Sequence, residues 1–309
     1  MARLAGRPLL VLSARDLLQA AAAEEVLLVA LVAPVRPAIE GFVRAARDAE
    51  APLLLVRPSG AAEEKGPEEE RDDAAFVEAV LKAAHELHFE GPLALLKEPP
   101  RAGSAVPDAE RVRREIDAGF TGVALSAGGA ASDARDAALA ATAACQYELG
   151  LEVVAIGGSA GAGLELAEQL RSRGAPPSAV RMTGHEGDLV PAAADSPRHL
   201  EGVAISSADE TSDLSGLRQL VASGPFLRAL LRSAPADLLD QLQSWADEKG
   251  ASLEQAAARH QRLLRELSKA QQDKLEALCC FGAADLYARA GVRGTGKRLV
   301  ARVGQPRER

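Results

Sequence analysis

The chain has 309 residues, 47% of them hydrophobic but only 3% aromatic, and a net charge of −8. That length accommodates one large α/β barrel or two smaller domains, with a core of Ala, Leu and Val rather than rings. The acidic balance argues against a nucleic-acid or anionic-membrane surface, and no apolar run reaches the ~18–20 residues of a membrane span.

Ser13 is placed to cap a helix from Ala14 to Glu24, with Asp16 in its first turn. Val26 to Ala33 is continuously apolar, as a parallel strand buried on both faces is. Pro37 suits the first turn of a helix from Ala38 to Glu50. Pro52 to Val56 reads as a second strand. Residues 61–73 are Glu-rich and lack large apolar groups, which predicts a solvated loop. Phe76, Val80, Ala83, Ala84 and Leu87 then recur at helical spacing over Ala74 to Leu87.

Leu93 to Leu96 reads as a third strand, closed by Lys97, Glu98, Pro99 and Pro100. Asp108 precedes a helix from Ala109 to Ala118, and Thr121 to Ser126 reads as a fourth strand. Ser132 or Asp133 caps a helix through Leu149, with Gly150 ending it. Val153 to Ile156 is the fifth strand. A glycine-rich stretch from Gly157 to Gly163 leads into a helix from Leu164 to about Arg173. Val203 to Ser206 is the sixth strand, followed by Asp209 and Glu210. Repeated strand–loop–helix steps imply a parallel sheet with right-handed crossovers.

A seventh strand is placed near Phe226 to Leu230. From Asp237 to Ala290 the pattern is helical, with Leu263, Leu264, Leu267, Leu275 and Leu278 as packing positions and Trp245 as an anchor. The expected organisation is a TIM-type (β/α)8 barrel over residues 1–236, a helical extension over 237–292 packed on it, and a basic, poorly patterned tail over 293–309.

Three cysteines, Cys145, Cys279 and Cys280, give neither a disulfide framework nor a metal knuckle. No signal-peptide pattern precedes Arg15 and Asp16. A soluble, cytoplasmic protein is the expectation.

Several positions offer chemistry. Backbone amides of the Gly157, Gly158, Ser159 and Gly161 segment would suit phosphate, with a plain βα turn as the other reading. Lys97 and Glu98 end a strand, where barrel chemistry sits. A buried Lys97 there would suit a Schiff base; pairing with a neighbour is the competing reading. Asp209 and Glu210 would suit a hard cation or a helix cap. His85 and His88 share a helix face without a third ligand, and His185 stands in a loop. Gly291 to Lys297 fits the first part of a P-loop, but Arg298 replaces the required Ser or Thr and a helix precedes it.

The opening helix with Ser13, Ala14, Arg15, Asp16, Leu17 and Leu18 resembles that of the class II, metal-dependent ketose-bisphosphate aldolases. Ala45 to Val56 and Ala118 to Val123 are similar to the same family. Phe76 to Leu96 is similar to its accessory, non-catalytic tagatose-bisphosphate aldolase subunit type. The resemblance covers roughly residues 10–210 and implies a (β/α)8 barrel acting on sugar phosphates with zinc. The catalytic positions depart from it. Lys97 and Glu98 stand where the resemblance implies an aspartate and a ligand histidine, Val153 to Gly158 holds no glutamate, and Asp209 replaces a histidine. Zinc needs three protein ligands, so no metal and no cofactor are expected unless the family chemistry survives.

The resemblance therefore implies an aldolase-like barrel that has lost its metal site and serves as an accessory or scaffold protein. It would act as a homo-oligomer or beside a catalytic partner subunit. Two alternatives stay open. One is an active sugar-phosphate lyase using Lys97, Glu98 and Asp209, and the other is a sugar-phosphate sensor.

Overall fold

The computed structural model of the chain describes residues 3–4, 7–59, 67–99, 108–127, 134–155, 160–183, 203–207 and 219–303. Eight strands run parallel: β1 (Leu28–Val32), β2 (Leu53–Arg57), β3 (Leu93–Lys97), β4 (Gly122–Ala127), β5 (Gly150–Ala155), β6 (Ala179–Thr183), β7 (Val203–Ser207) and β8 (Gln219–Ala222). Their order is β3-β2-β1-β8-β7-β6-β5-β4. The two edge strands, β3 and β4, are therefore consecutive in sequence, and they meet. The Thr121 amide donates to the Leu95 carbonyl at 3.0 Å, and the Leu95 amide donates to Thr121 Oγ1 at 2.8 Å. The architecture is a TIM-type α/β barrel whose seam lies between β3 and β4.

The strands form where the chain is continuously apolar. All five residues of β1, β2 and β3 are buried, because the barrel core covers one face and the helices the other. Those helices are α1 (Ala14–Ala23), α2 (Arg36–Asp48), α3 (Pro67–Glu86), α4 (Asp108–Ala118), α5 (Ala134–Gln146), α6 (Ala160–Ser172) and α7 (Gly224–Ser233). Ser13 caps α1 as expected, its hydroxyl accepting from the Asp16 amide at 3.0 Å. α1 closes the amino end of the barrel. The Leu12 amide donates to Leu93 O and the Ala14 amide to Thr121 O. A Cβ at Gly122 or Gly150 would stand 2.7 Å from the Ala14 Cβ, so this approach requires glycine.

Four expectations are corrected. The apolar stretch at Phe226 to Leu230 lies in α7, where Pro225 opens an amphipathic helix, and not in a strand. The strand Val203 to Ser207 is seventh, because β6 precedes it, and the eighth is Gln219 to Ala222. The acidic stretch expected as a loop to residue 73 already belongs to α3 from Pro67; proline at the first turn and acidic residues beside the positive helix end favour this. The basic tail contains a helix.

The extension comprises α8 (Ala236–Lys249), α9 (Leu253–Arg259), α10 (Gln261–Arg265), α11 (Lys269–Arg289) and α12 (Gly296–Val303). Ser252 with Gln255 and Ser268 with Gln271 form capping boxes that start α9 and α11. α11 lies against both α2 and α7. It buries Leu275, Cys279, Ala283, Leu286 and Tyr287. Leu264 and Leu267 are buried in the same core. Trp245 packs edge-on against His260, with ring centroids 5.1 Å apart. α12 docks at the amino end of the barrel. The Gly294 and Gly296 amides donate to Ala49 O and Glu50 O, Lys297 pairs with Glu50 at 2.9 Å, and Arg298 with Glu24 at 3.0 Å. The P-loop-like stretch is thus a turn between two helices, with Gly291 and Gly294 at positive φ. Its lysine is engaged by a carboxylate.

Candidate functional site: the carboxyl ends of the strands

Strand register decides which face each side chain takes. Arg57 and Lys97 are register partners, as are Leu55 and Leu95, so all four share one face. Arg57 and Lys97 both reach Asp73 of α3, which identifies that face as the one turned out toward the helices. Lys97 Nζ lies 2.7 Å from Asp73 Oδ2, and Arg57 Nη1 bonds Asp73 Oδ1. All three side chains are less than a tenth exposed.

The network continues along the seam. Lys97 and Asp73 both act electrostatically on Glu115 of α4. Glu115 is fully buried and holds Arg111 Nη1 at 2.6 Å. Arg111 Nη2 pairs with Asp108 at 3.0 Å and donates to the Ala124 carbonyl of β4 at 2.8 Å. Three cations, Arg57, Lys97 and Arg111, therefore alternate with three carboxylates, Asp73, Glu115 and Asp108. They lie beside the only strand junction without a ladder among the described residues. The guanidinium takes up a β4 carbonyl that a neighbouring strand would otherwise bond. Burial pushes the Glu115 carboxyl up from its ordinary range, against the pull of Arg111 and Lys97.

The opposite face looks into the barrel. Val32, Val56 and Leu96 are the last inward positions of β1, β2 and β3. Across this part of the ring, the inner wall near the mouth is therefore aliphatic. Deeper inside, Gln219 Nε2 of β8 donates to Glu152 Oε1 of β5 at 3.0 Å. This bond ties opposite sides of the barrel together, and both residues are buried. Ser126 Oγ and Gln219 Oε1 are buried without a hydrogen-bond partner among the described residues.

Lys97 is thus found at a strand end, but on the face away from the mouth and in an ion pair. A Schiff-base nucleophile must present its amine to the substrate. Glu98 follows it; its amide donates to Arg57 O at 2.9 Å, and its carbonyl accepts from the Ser59 hydroxyl. Asp209, Gly157, Gly158 and Ser159 lie outside the described residues, as do Glu210, His185 and His199. Gly161 belongs to the first turn of α6. Of these candidates, only Lys97, Glu98 and Gly161 fall among the described residues. His85 lies in α3 and His88 just past its end. No group of three His, Cys, Asp or Glu side chains among the described residues is arranged to hold a metal ion.

Sequence reasoning missed Asp73, Glu115 and the Glu152–Gln219 pair. Glu152 carried a usable signal, a charge inside an otherwise apolar strand. Asp73 carried none, since it closes an acidic run that looks solvated.

No family model and no curated protein matches the chain. Solved structures do. The YdjI aldolase from Escherichia coli K12 superposes with a TM-score of 0.60 at 10% identity, over 93% of this chain and 100% of that one. A putative fructose-1,6-biphosphate aldolase from Coccidioides immitis gives 0.60 at 12% identity, over 92% and 98%. The fructose-bisphosphate aldolase of Campylobacter jejuni gives 0.58 at 11% identity, over 92% and 96%. The chain thus shares its fold with aldolases along almost its whole length. Among the described residues, no helix is long and apolar enough to cross a membrane.

Proposed function

We propose that this protein is an aldolase-like barrel whose metal site has degenerated and that it acts as a non-catalytic accessory or scaffold protein. The observation that carries the reading is the direction of the strand-end charges. Arg57 and Lys97 turn outward to Asp73, while Val32, Val56 and Leu96 line the inner wall at the same end. An aldol cleavage needs a polarised carbonyl and a positioned base at the mouth. The aliphatic part of the wall that β1, β2 and β3 contribute supplies neither. The sequence departures at Lys97, Glu98 and Asp209 point the same way. The ion pair of Lys97 disfavours the lyase reading that depends on this amine.

An accessory role needs a contact surface. Leu231 of α7 and Phe281 of α11 are both more than half exposed, on helices that pack against each other. Large apolar side chains exposed on neighbouring helices suit a second copy or a catalytic subunit. The test is sedimentation of the purified protein beside its Phe281→Asp variant, together with metal content and aldol-cleavage assays. Assembly lost in the variant, without metal or turnover in either protein, supports the reading. Turnover in the parent protein overturns it.

A further inference from the structure

A cavity of about 520 Å³ lies outside the barrel ring, between α2, α3 and the corner where α10 passes into α11. Val35, Ile39, Phe76, Ala79 and Leu264 form an apolar side of its lining, and polar groups line the rest. Phe76 is held in place by stacking on Phe120, with centroids 5.9 Å apart. The charged groups on its lining are Arg36, Arg265, Lys269 and Glu40, a net +2 within a chain of net −8. Arg36 pairs with Glu40 at 2.7 Å, and Lys269 with Asp273 at 2.7 Å. The next acid behind them, Glu276, is taken by Arg44. Arg265 stands apart. Among the described residues its guanidinium makes no hydrogen bond or ion pair.

A concave site of this size, with an apolar side and charged groups around it, has room for a small molecule. A planar guanidinium left over at that edge is matched by a carboxylate or a phosphate, which it grips with two parallel hydrogen bonds. We propose that this cavity binds a small organic anion, an aromatic or branched aliphatic body carrying one carboxylate or phosphate. The body lies against Ile39, Phe76 and Leu264, and the anionic group meets Arg265 at the rim. The ligand bridges barrel helices α2 and α3 to the extension, so occupancy stabilises the docking of α10 and α11. The site uses no residue of the barrel mouth and stands independently of the proposed accessory role.

Calorimetric titration of the full chain with phenyl phosphate and benzoate tests this, with phenol and inorganic phosphate as half-ligands. The expected result is saturable one-site binding of at least one anion, about tenfold or more tighter than either half-ligand. Arg265→Glu should weaken it by about tenfold or more without shifting the thermal midpoint of the unliganded protein. Ala79→Leu should weaken it by filling the cavity. Which anion wins identifies the head group. Absence of saturable binding by both anions, or binding by phenol alone that matches them, overturns the proposal. So does indifference to Arg265→Glu, and that exposed variant decides the matter even if Ala79→Leu fails to fold.

Discussion

Thr121 joins the two ends of the sheet through Leu95. Its amide donates to the Leu95 carbonyl at 3.0 Å, and its hydroxyl accepts the Leu95 amide at 2.8 Å. One residue thus does at this seam what a ladder does at the other junctions. Thr121→Val keeps the shape but leaves a buried amide without an acceptor, at a cost of about 1–3 kcal/mol. Thr121→Ser keeps the hydroxyl and should cost well under half of that. Urea unfolding of the two variants checks the ordering; equal stability would show that the hydroxyl does not hold the seam.

Asp73 holds two buried cations at once, Arg57 and Lys97. Removing a shared counter-charge leaves both without their carboxylate in low dielectric. Asp73→Asn should therefore destabilise by about 3–5 kcal/mol. Combining Asp73→Leu with Lys97→Met should cost less than the sum of the single changes, because each cures part of the other's defect. Chemical denaturation of the four proteins in the cycle reads the coupling directly. Additive losses would mean that the contact contributes little.

Glu115 gives the seam a pH dependence. Burial raises its pKa above the ordinary 4.5, so the folded state binds its proton more tightly than the unfolded state does. Stability from this group is fully present below about pH 4.5 and is lost as pH rises through the folded value. The stability of the parent protein relative to Glu115→Gln should accordingly fall with rising pH across that window. A difference that instead grows with pH would mean that Arg111 outweighs burial.

Gly41 sets how closely α2 and α11 cross. A Cβ there would stand 2.5 Å from Glu276 O and 3.0 Å from the Cys279 Cβ. The obstacle is largely helix backbone, which cannot swing aside. Gly41→Ala should cost about 1–3 kcal/mol by overpacking. Gly282→Ala, which meets Pro225 at 3.2 Å, should cost less. Alkylation of buried Cys279 measured by mass spectrometry checks this. Its thiol is pushed up strongly by burial, so it should react in Gly41→Ala well before it reacts in the parent protein.

Much of the barrel was legible in the sequence because its first strands are uninterrupted apolar runs. Residues 28–32, 53–57 and 93–97 needed only the rule that a parallel strand is buried twice. β6 and β8 were not legible. β6 carries Arg181, and β8 opens with Gln219, so neither shows an apolar run of useful length. The α12 helix was hidden because its amphipathic pattern lies in a short basic segment, and its partners, Glu24 and Glu50, are distant in sequence. At the site, strand position was readable but strand face was not. Lys97 ends a strand as expected, yet only the pairing with Asp73 shows that it looks away from the mouth. A charged residue one position away would have faced inward.

The central claim is that the barrel mouth has lost its metal chemistry. Its most direct test is the metal content of the purified protein, with cleavage of fructose and tagatose bisphosphates assayed in the same sample. The account predicts no stoichiometric zinc and no turnover, with added zinc changing neither. Stoichiometric zinc together with chelator-sensitive turnover would contradict it.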